Sequence, residues 1–347
     1  MAIPTGSMTI TTGANFIPEI WSDETIAAYK TKTVMANLVK KINFKGKKGD
    51  TLHIPAPARG EASAKTAATE VTLVSDTAGT IDVLINKHYE YSYLFEDIAE
   101  IQALNSMRSF YTDAAGFGLA KRVDRELHKL GAGFNGGTLT SAALYEAGVI
   151  GGDGSTLFAS ATTTGGNATA LTDLGLRRAI QTLEDSDVDS AALNLVIPPV
   201  EANVLRGISR FTEQAFIGDG NTIRTGRLGN LYGIEIYQSS NCPWIHVEAT
   251  TTGNTVVNFS GTTLAASIAA GSQNEFADTV DFTSKTDVKF RACLLFHRDA
   301  MCLAEQLAVR TQAGYLHQYL GTLVTADTIF GTKELRDYAG VAIIVPS

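Results

Sequence analysis

Apolar and polar residues alternate with two different periods along this chain, and the changes of period divide it. Between Asp97 and Leu130 apolar residues fall at Ile98, Ile101, Leu104, Met107, Tyr111, Ala114, Gly118, Val123, Leu127 and Leu130. The spacings are mostly three and four, the repeat of one helix face. Asp97 can cap the start with Glu100 reaching back, and Gly131 and Gly133 supply an end. The pattern predicts one amphipathic helix over 97–130, about 50 Å long. That exceeds the core of an ordinary compact domain, so the helix is expected to be the spine of an elongated or plate-like subunit. Gly116 and Gly118 lie inside it, each costing about 1 kcal/mol against alanine. They point to a close backbone approach or a bend, or else to a tolerant solvated face.

On either side of the spine, stretches of period two alternate with shorter helices and irregular segments. Residues 1–21 form a polar arm ending in Phe16-Ile17-Pro18-Glu19-Ile20-Trp21, and a helix capped by Ser22 is expected to about Val39. Lys40, Lys41, Lys45, Lys47 and Lys48 cluster around Gly46 and Gly49 and read as a solvated turn. Thr51 to Ile54 alternates and Pro55-Ala56-Pro57 breaks it; Val71 to Val74 and Thr80 to Tyr93 alternate again. Two alternating arms with a core-poor tip between them predict a long exposed β-hairpin, poorly stable alone and best accommodated on a neighbouring subunit. After the spine, 134–170 reads as loops with short strands. Leu171 to Asp187 is predicted helical, Leu193 to Ile197 a buried strand stopped by Pro198-Pro199, and Val200 to Ile208 a short helix, an α/β order. Leu231 to Tyr237 is expected as a strand around Gly233, and 242–285 as a β insertion. Strands are also expected at Ala292 to Phe296 and Ala300 to Ala304, with alternation from Val309 to Tyr319 and a last buried strand at Ile343 to Val345. No internal repeat is present.

Composition narrows the function classes. At 347 residues and 44% hydrophobic content the chain can bury a sizeable core, which excludes global disorder. A net charge of −8 argues against a protein that coats nucleic acid and suits a wall that does not stick to nucleic acid it encloses. The cysteines Cys242, Cys293 and Cys302 show no CxxC and are odd in number, so they read as buried free thiols in a reducing compartment. No signal peptide and no membrane span is expected, which implies synthesis in a cytoplasm.

Chemistry-bearing motifs are weak. Gly131-Ala132-Gly133-Phe134-Asn135-Gly136 matches GxGxxG but follows a helix, whereas the dinucleotide fingerprint needs a strand before it and a helix after. No P-loop order and no GxSxG elbow occurs. The six histidines lack HxH or HxxxH spacing. His297-Arg298-Asp299 lacks the companions of a kinase catalytic loop and reads as structural. Asp185, Asp187 and Asp189 read as an acidic helix-end loop rather than a cation site. The expectation is a non-enzyme with no cofactor and no metal.

The order of arm, extended hairpin, spine helix, α/β subdomain and C-terminal sheet resembles the major capsid protein of tailed bacteriophages, the Hong Kong 97 capsid fold. Phe16 to Ser22 followed by a helix is similar to the arm of podovirus-like coat proteins. Leu195-Val196-Ile197-Pro198-Pro199, the phrase from Arg227 to Tyr237, and Phe330-Gly331-Thr332-Lys333-Glu334-Leu335-Arg336 resemble further stretches of that family. The resemblance covers nearly the whole chain except 242–285. It implies an α+β fold. The N-terminal arm and helix would be 1–42 and the extended β-hairpin loop 43–93. A peripheral subdomain with the spine helix would take 94–170 and an axial subdomain with the β insertion 171–290, while 291–347 would complete both. It implies self-assembly into pentamers and hexamers of an icosahedral shell that encloses double-stranded DNA. The expected partners are further copies of the chain, a scaffolding protein, a portal and a decoration protein, without sequence-specific DNA binding and without a membrane. Assembly in a host bacterial cytoplasm and residence in the virion follow. The candidate intersubunit contacts are Trp21 in the arm, Arg59 and Glu61 at the loop tip, and Arg210, Arg224 and Arg227 near a capsomer axis. Lys65 lies where some relatives carry a crosslinking lysine, but no partner asparagine or carboxylate is identified. An encapsulin-like shell has the same order of elements. A cytosolic α/β enzyme lacks catalytic constellations here, and a fibre protein lacks the β repeat.

Overall fold

The computed structural model describes residues 33–43, 49–56, 62, 64–68, 70, 79–97, 107–131, 134, 149–154, 169–208, 230–242, 244–250, 253–257 and 289–346. Within them a long helix lies across one β-sheet and runs into the core of a second.

The first sheet has four strands, in the spatial order β1 (Lys40–Asn43), β12 (Met301–Leu316), β13 (Gly321–Glu334) and β4 (Lys87–Glu96). β12 and β13 form a long antiparallel hairpin with register shifts between Glu305 and Leu307 and between Leu307 and Arg310. β4 pairs antiparallel with β13 over its full length, from Lys87 opposite Phe330 to Glu96 opposite Gly321. β1 runs parallel to β12 over Cys302–Glu305 only. Strict alternation along β4 sends Tyr89, Tyr91, Tyr93 and Phe95 to one face and His88, Glu90, Ser92 and Leu94 to the other. The aromatic face carries α2, Met107–Gly131. Tyr111 sits against Tyr93 and Phe95, with ring centroids 4.7 and 5.6 Å apart.

The second sheet has eight strands. β11 (Lys289–His297) is flanked on one side by β14 (Gly340–Pro346) and on the other by β6 (Leu193–Ile197) and β9 (Trp244–Thr250). β5 (Val149–Gly151) extends it beyond β14; β8 (Ile234–Gln238) and β7 (Asn230–Leu231) extend it beyond β6; β10 (Gly253–Val257) pairs with β9. The central strands read as continuous apolar runs because both faces are covered. Ala292, Leu294, Phe296, Ala342 and Ile344 point into a core shared with Leu127 and Leu130 of α2 and with α1 (Met35–Leu38). Cys293, Leu295, Val341, Ile343 and Val345 point the other way. There they meet Leu176, Ala179 and Leu183 of α3 (Asp173–Asp185) and Ala202 and Leu205 of α4 (Pro199–Arg206). Thr172 caps α3 through Gly175 N–H at 3.1 Å, and Pro199 opens α4 at a position where its missing N–H costs nothing.

A two-stranded sheet, β2 (Thr51–Ala56) with β3 (Gly79–Leu84), forms the base of the predicted hairpin. It is pinned by Ile85 N–H to Asp50 O at 2.7 Å and by Gln306 Nε2 to Gly49 O at 3.0 Å. Pro55 does not break β2 but pairs opposite Thr80, which a two-stranded ribbon tolerates because each strand has an unpaired edge. The alternation from Thr80 to Tyr93 is divided at Ile85-Asn86 between this ribbon and the four-stranded sheet.

Other sequence expectations shift. Residues 98–106 of the predicted spine lie outside the described residues, and the helix ends at Gly131. Its buried positions on the sheet are Ala115 and Leu119, one residue beyond the predicted Ala114 and Gly118. A Cβ at Gly116 would meet nothing within 4 Å, and one at Gly118 would touch the Tyr91 ring at 3.8 Å. Neither site therefore needs glycine for close approach. Leu231 to Tyr237 is a tight hairpin rather than one strand, because Tyr232 and Gly233 both have positive φ, 53° and 81°, as a two-residue I′ turn requires. The separate expectations at Ala300 to Ala304 and Val309 to Tyr319 merge into β12. β13 went unpredicted, although Thr322, Val324, Thr325, Thr328 and Ile329 supply the β-branched signal.

Candidate functional site

The singled-out motifs resolve into packing. Gly131 ends α2 against β11, where a Cβ would stand 2.7 Å from Leu294 Cδ1. Phe134, fully buried, lies on Gly340 and beside Phe296. The GxGxxG stretch thus supplies a close helix–sheet contact and a core ring. His297 accepts a hydrogen bond at Nδ1 from Asp299 N–H at 3.1 Å, and Asp299 lies 3.5 Å from Lys40. Asp185 ends α3, Asp187 takes a left-handed φ of 58°, and Asp189 accepts from Ala191 N–H at 2.9 Å, so the acidic triplet shapes a turn. The three thiols are buried and free. Burial pushes Cys242 up to about 12 and Cys302 up to about 11, and raises Cys293 well above the ordinary thiol value. Thiols so placed are poor nucleophiles. Among the described residues no group of three potential metal ligands comes together.

What the fold does concentrate is charge that joins elements. Glu126 on α2 is nearly fully buried and accepts from Lys87 Nζ at 2.5 Å, Arg122 Nη2 at 2.9 Å and Tyr89 OH at 3.1 Å. Lys87 also donates to Thr332 Oγ1 at 2.9 Å, and the Arg122 guanidinium lies 4.7 Å from the centre of the Tyr89 ring. One carboxylate therefore ties the spine to β4 and β13. On the opposite face, Arg310 of β12 holds Asp327 of β13 through two bonds of 2.8 and 3.0 Å, and His88 of β4 approaches at 3.2 Å. The bonds from Arg310 hold the Asp327 carboxyl below its ordinary value. Three strands are thereby fastened across their long axis.

Two surface features remain. Beyond Glu305 the outer edge of β12 has no strand beside it among the described residues, and the hairpin end exposes Tyr315, Leu316, Tyr319 and Leu320. An open cleft lies between α1 and the second sheet, lined by Asn37, Asn194, Glu235, Tyr237 and Arg298. Tyr237 OH donates to Glu235 there at 2.5 Å. Among the described residues no serine, cysteine, lysine or histidine lines it. All six sequence-derived contact candidates, Trp21, Arg59, Glu61, Arg210, Arg224 and Arg227, lie outside the described residues; Lys65 is exposed. The sequence reading missed the apolar hairpin end and the buried carboxylates. Their signals were the alternation before Tyr319 and the i, i+4 pair Arg122–Glu126, a pairing that reads as a solvated face.

Neither a protein-family profile nor a curated protein sequence matches the chain. Solved structures do. A chain of the Mycobacterium phage Che8 structure superposes with a TM-score of 0.63 at 21% identity, covering 95% of this chain and 97% of that one. A chain of the capsid structure of cyanophage P-SCSP1u gives 0.69 at 16% identity, covering 99% and 96%. A chain from the acid-stable capsid of Helicobacter pylori bacteriophage KHP30 gives 0.65 at 13% identity, covering 99% of both. The mixed α and β architecture described above is therefore the fold of phage capsid proteins.

Proposed function

We propose that this chain is the major capsid protein of a tailed phage, a structural subunit that self-assembles into the icosahedral shell around double-stranded DNA. The observation that carries the reading is full-length likeness to phage capsid chains, 99% of this chain against 96% of the cyanophage one. The buried fastenings at Glu126 and Asp327 suit a subunit that holds its long helix and first sheet together as one rigid piece rather than one that turns over a substrate. On this reading the Hong Kong 97 subdomains follow the divisions 1–42, 43–93, 94–170, 171–290 and 291–347. The ribbon of β2 and β3 is the root of the extended loop, and α2 is the spine. Trp21, Arg59 and Glu61 contact neighbouring subunits, and Arg210, Arg224 and Arg227 stand near a capsomer axis. Each contact is modest, and repetition around five-fold and quasi-six-fold axes makes the shell stable. The net charge of −8 keeps the wall from adhering to the packaged DNA. Scaffolding, portal and decoration proteins complete the partner set, assembly takes place in the host cytoplasm, and the product is a virion component. The encapsulin-like, enzyme and fibre readings are not favoured by the structures that match.

The test is negative-stain microscopy of the protein produced alone in bacteria, and again with its scaffold. Closed shells or curved sheets tens of nanometres across are expected. A small rigid oligomer that persists with the scaffold present would overturn the proposal. Reversal of charge at Arg224 with undiminished particle yield would remove the axis assignment while leaving the shell reading intact.

A further inference from the structure

The most deeply buried carboxylate in the described chain is not at a sheet fastening. Asp124 of α2 is fully buried and faces the start of α1. Its Oδ1 accepts from Val34 N–H at 2.9 Å and from Met35 N–H at 2.8 Å. Its Oδ2 accepts from Asn241 Nδ2 at 2.8 Å and lies 3.5 Å from His128 Nε2. The first amides of a helix have no partner within it, and Val34, the N-cap of α1, has a side chain that cannot cap. Asp124 supplies the cap from a residue 90 positions away. Burial pulls its pKa up, but His128, Asn241 and the Met35 amide outweigh this, and it stays below the ordinary value. The segment behind the cap is a strap. Val34, Met35, Leu38 and Val39 are buried, and β1 follows at once along β12. Hydrophobic burial is non-directional and tolerates sliding of the strap by a residue. Two charge-assisted bonds to two consecutive amides do not.

We propose that Asp124 is a positioning residue that latches the root of the N-terminal segment. It fixes the register in which α1 docks and β1 then pairs with β12, with Asn241 holding the carboxylate in place. The inference goes beyond the capsid reading and does not depend on it, since it concerns the folded subunit alone. It uses a buried ionised group as a registry device at some cost in desolvation.

A donor–acceptor swap tests it. In Asp124→Asn the new amide keeps one oxygen for the two backbone N–H groups but turns a donor toward the Asn241 amide. In Asn241→Asp two carboxylates meet. In the double variant the amide introduced at position 124 donates to the carboxylate introduced at position 241, and the hydrogen bonds to Val34, Met35 and position 241 can re-form with the polarity of that pair reversed, only the approach of His128 being lost. The measurement is hydrogen exchange by mass spectrometry on peptides covering residues 33–39, with β11 and β14 as internal reference. Each single variant is expected to exchange at least ~10-fold faster in 33–39 with β11 and β14 unchanged, and the double variant to return close to the parent rate. Unchanged exchange in Asp124→Asn, or a double variant as fast as the singles, would overturn the latch. If a single variant fails to fold, recovery of soluble, protected protein in the double variant supports the proposal, and its failure to recover refutes it.

Discussion

The contact between Phe134 and Gly340 gives a prediction whose magnitude can be worked through. A methyl group at 340 would be driven into Cδ2, Cε2 and Cζ of the Phe134 ring. That ring is fully buried and stands 6.3 Å, centroid to centroid, from Phe296. It also shares a core with Leu294 and Ile344, so it cannot swing aside without displacing them. The backbone at Gly340 is extended, with φ −149°, and alanine would fit it without strain. Stiffening the unfolded chain would then add about 0.4–1 kcal/mol of stability to Gly340→Ala. Overpacking costs about 1–3 kcal/mol, and because the ring cannot give way the upper half of that range applies, leaving a net loss of roughly 1–2.5 kcal/mol. Phe134→Leu alone removes ring atoms from a site that cannot fully collapse and should lose a similar amount. Combined, the shorter side chain vacates the space that the methyl group needs, and the two losses should fall short of their sum by about 1 kcal/mol or more. Urea unfolding of the soluble protein, followed by far-UV circular dichroism, gives the four free energies of the cycle. Losses that add to within about 0.5 kcal/mol would refute the claim that these two positions share one space.

Glu126→Ala should cost about 3 kcal/mol, the lower end for breaking a buried ion pair, because Lys87 keeps some access to water; a loss below about 1 kcal/mol in the same unfolding assay would count against the fastening. Burial, with Asp337 nearby, pushes Glu334 up to about 8 from an ordinary 4.5. The folded state therefore holds a proton that the unfolded chain releases, and stability falls as pH rises from about 4.5 to 8. Glu334→Gln should flatten that slope, raising Tm at pH 8 and leaving it unchanged at pH 4.5; equal slopes in the two proteins would refute it. Native protein should react with none of its three cysteines on mixing with a thiol reagent at about pH 8, and with all three after unfolding. Prompt modification of the folded protein would show that the burial of Cys242, Cys293 or Cys302 is wrong.

Local rules carried the second sheet. Leu193 to Ile197, the proline-initiated α4, the Thr172-capped α3 and the closing strand Gly340–Pro346 all follow from runs of apolar residues bounded by caps and prolines. Those signals act within a few residues. Errors arose where a boundary depended on a distant partner. β12 and β13 are single long strands because they stabilise each other, and neither Ala300 to Ala304 nor Thr322 to Phe330 reveals its partner by itself. The alternation from Thr80 to Tyr93 is continuous in sequence, yet it serves two sheets because Ile85 and Asn86 turn the chain between them.

Taken alone, the sequence determined the class of fold, the presence of a spine helix, the base of a hairpin and the identity of the core strands. Periodicity and turn chemistry are encoded residue by residue. Only the tertiary structure decided which polar groups are buried and what they hold. Asp124, Glu126 and His128 sit on the last turns of a helix whose pattern marks one apolar stripe, but two sheets close around that end and bury it on every side. A carboxylate there is tolerable only because Val34, Met35, Asn241, Lys87 and Arg122 arrive from elsewhere in the chain, or from one turn away, to pair it.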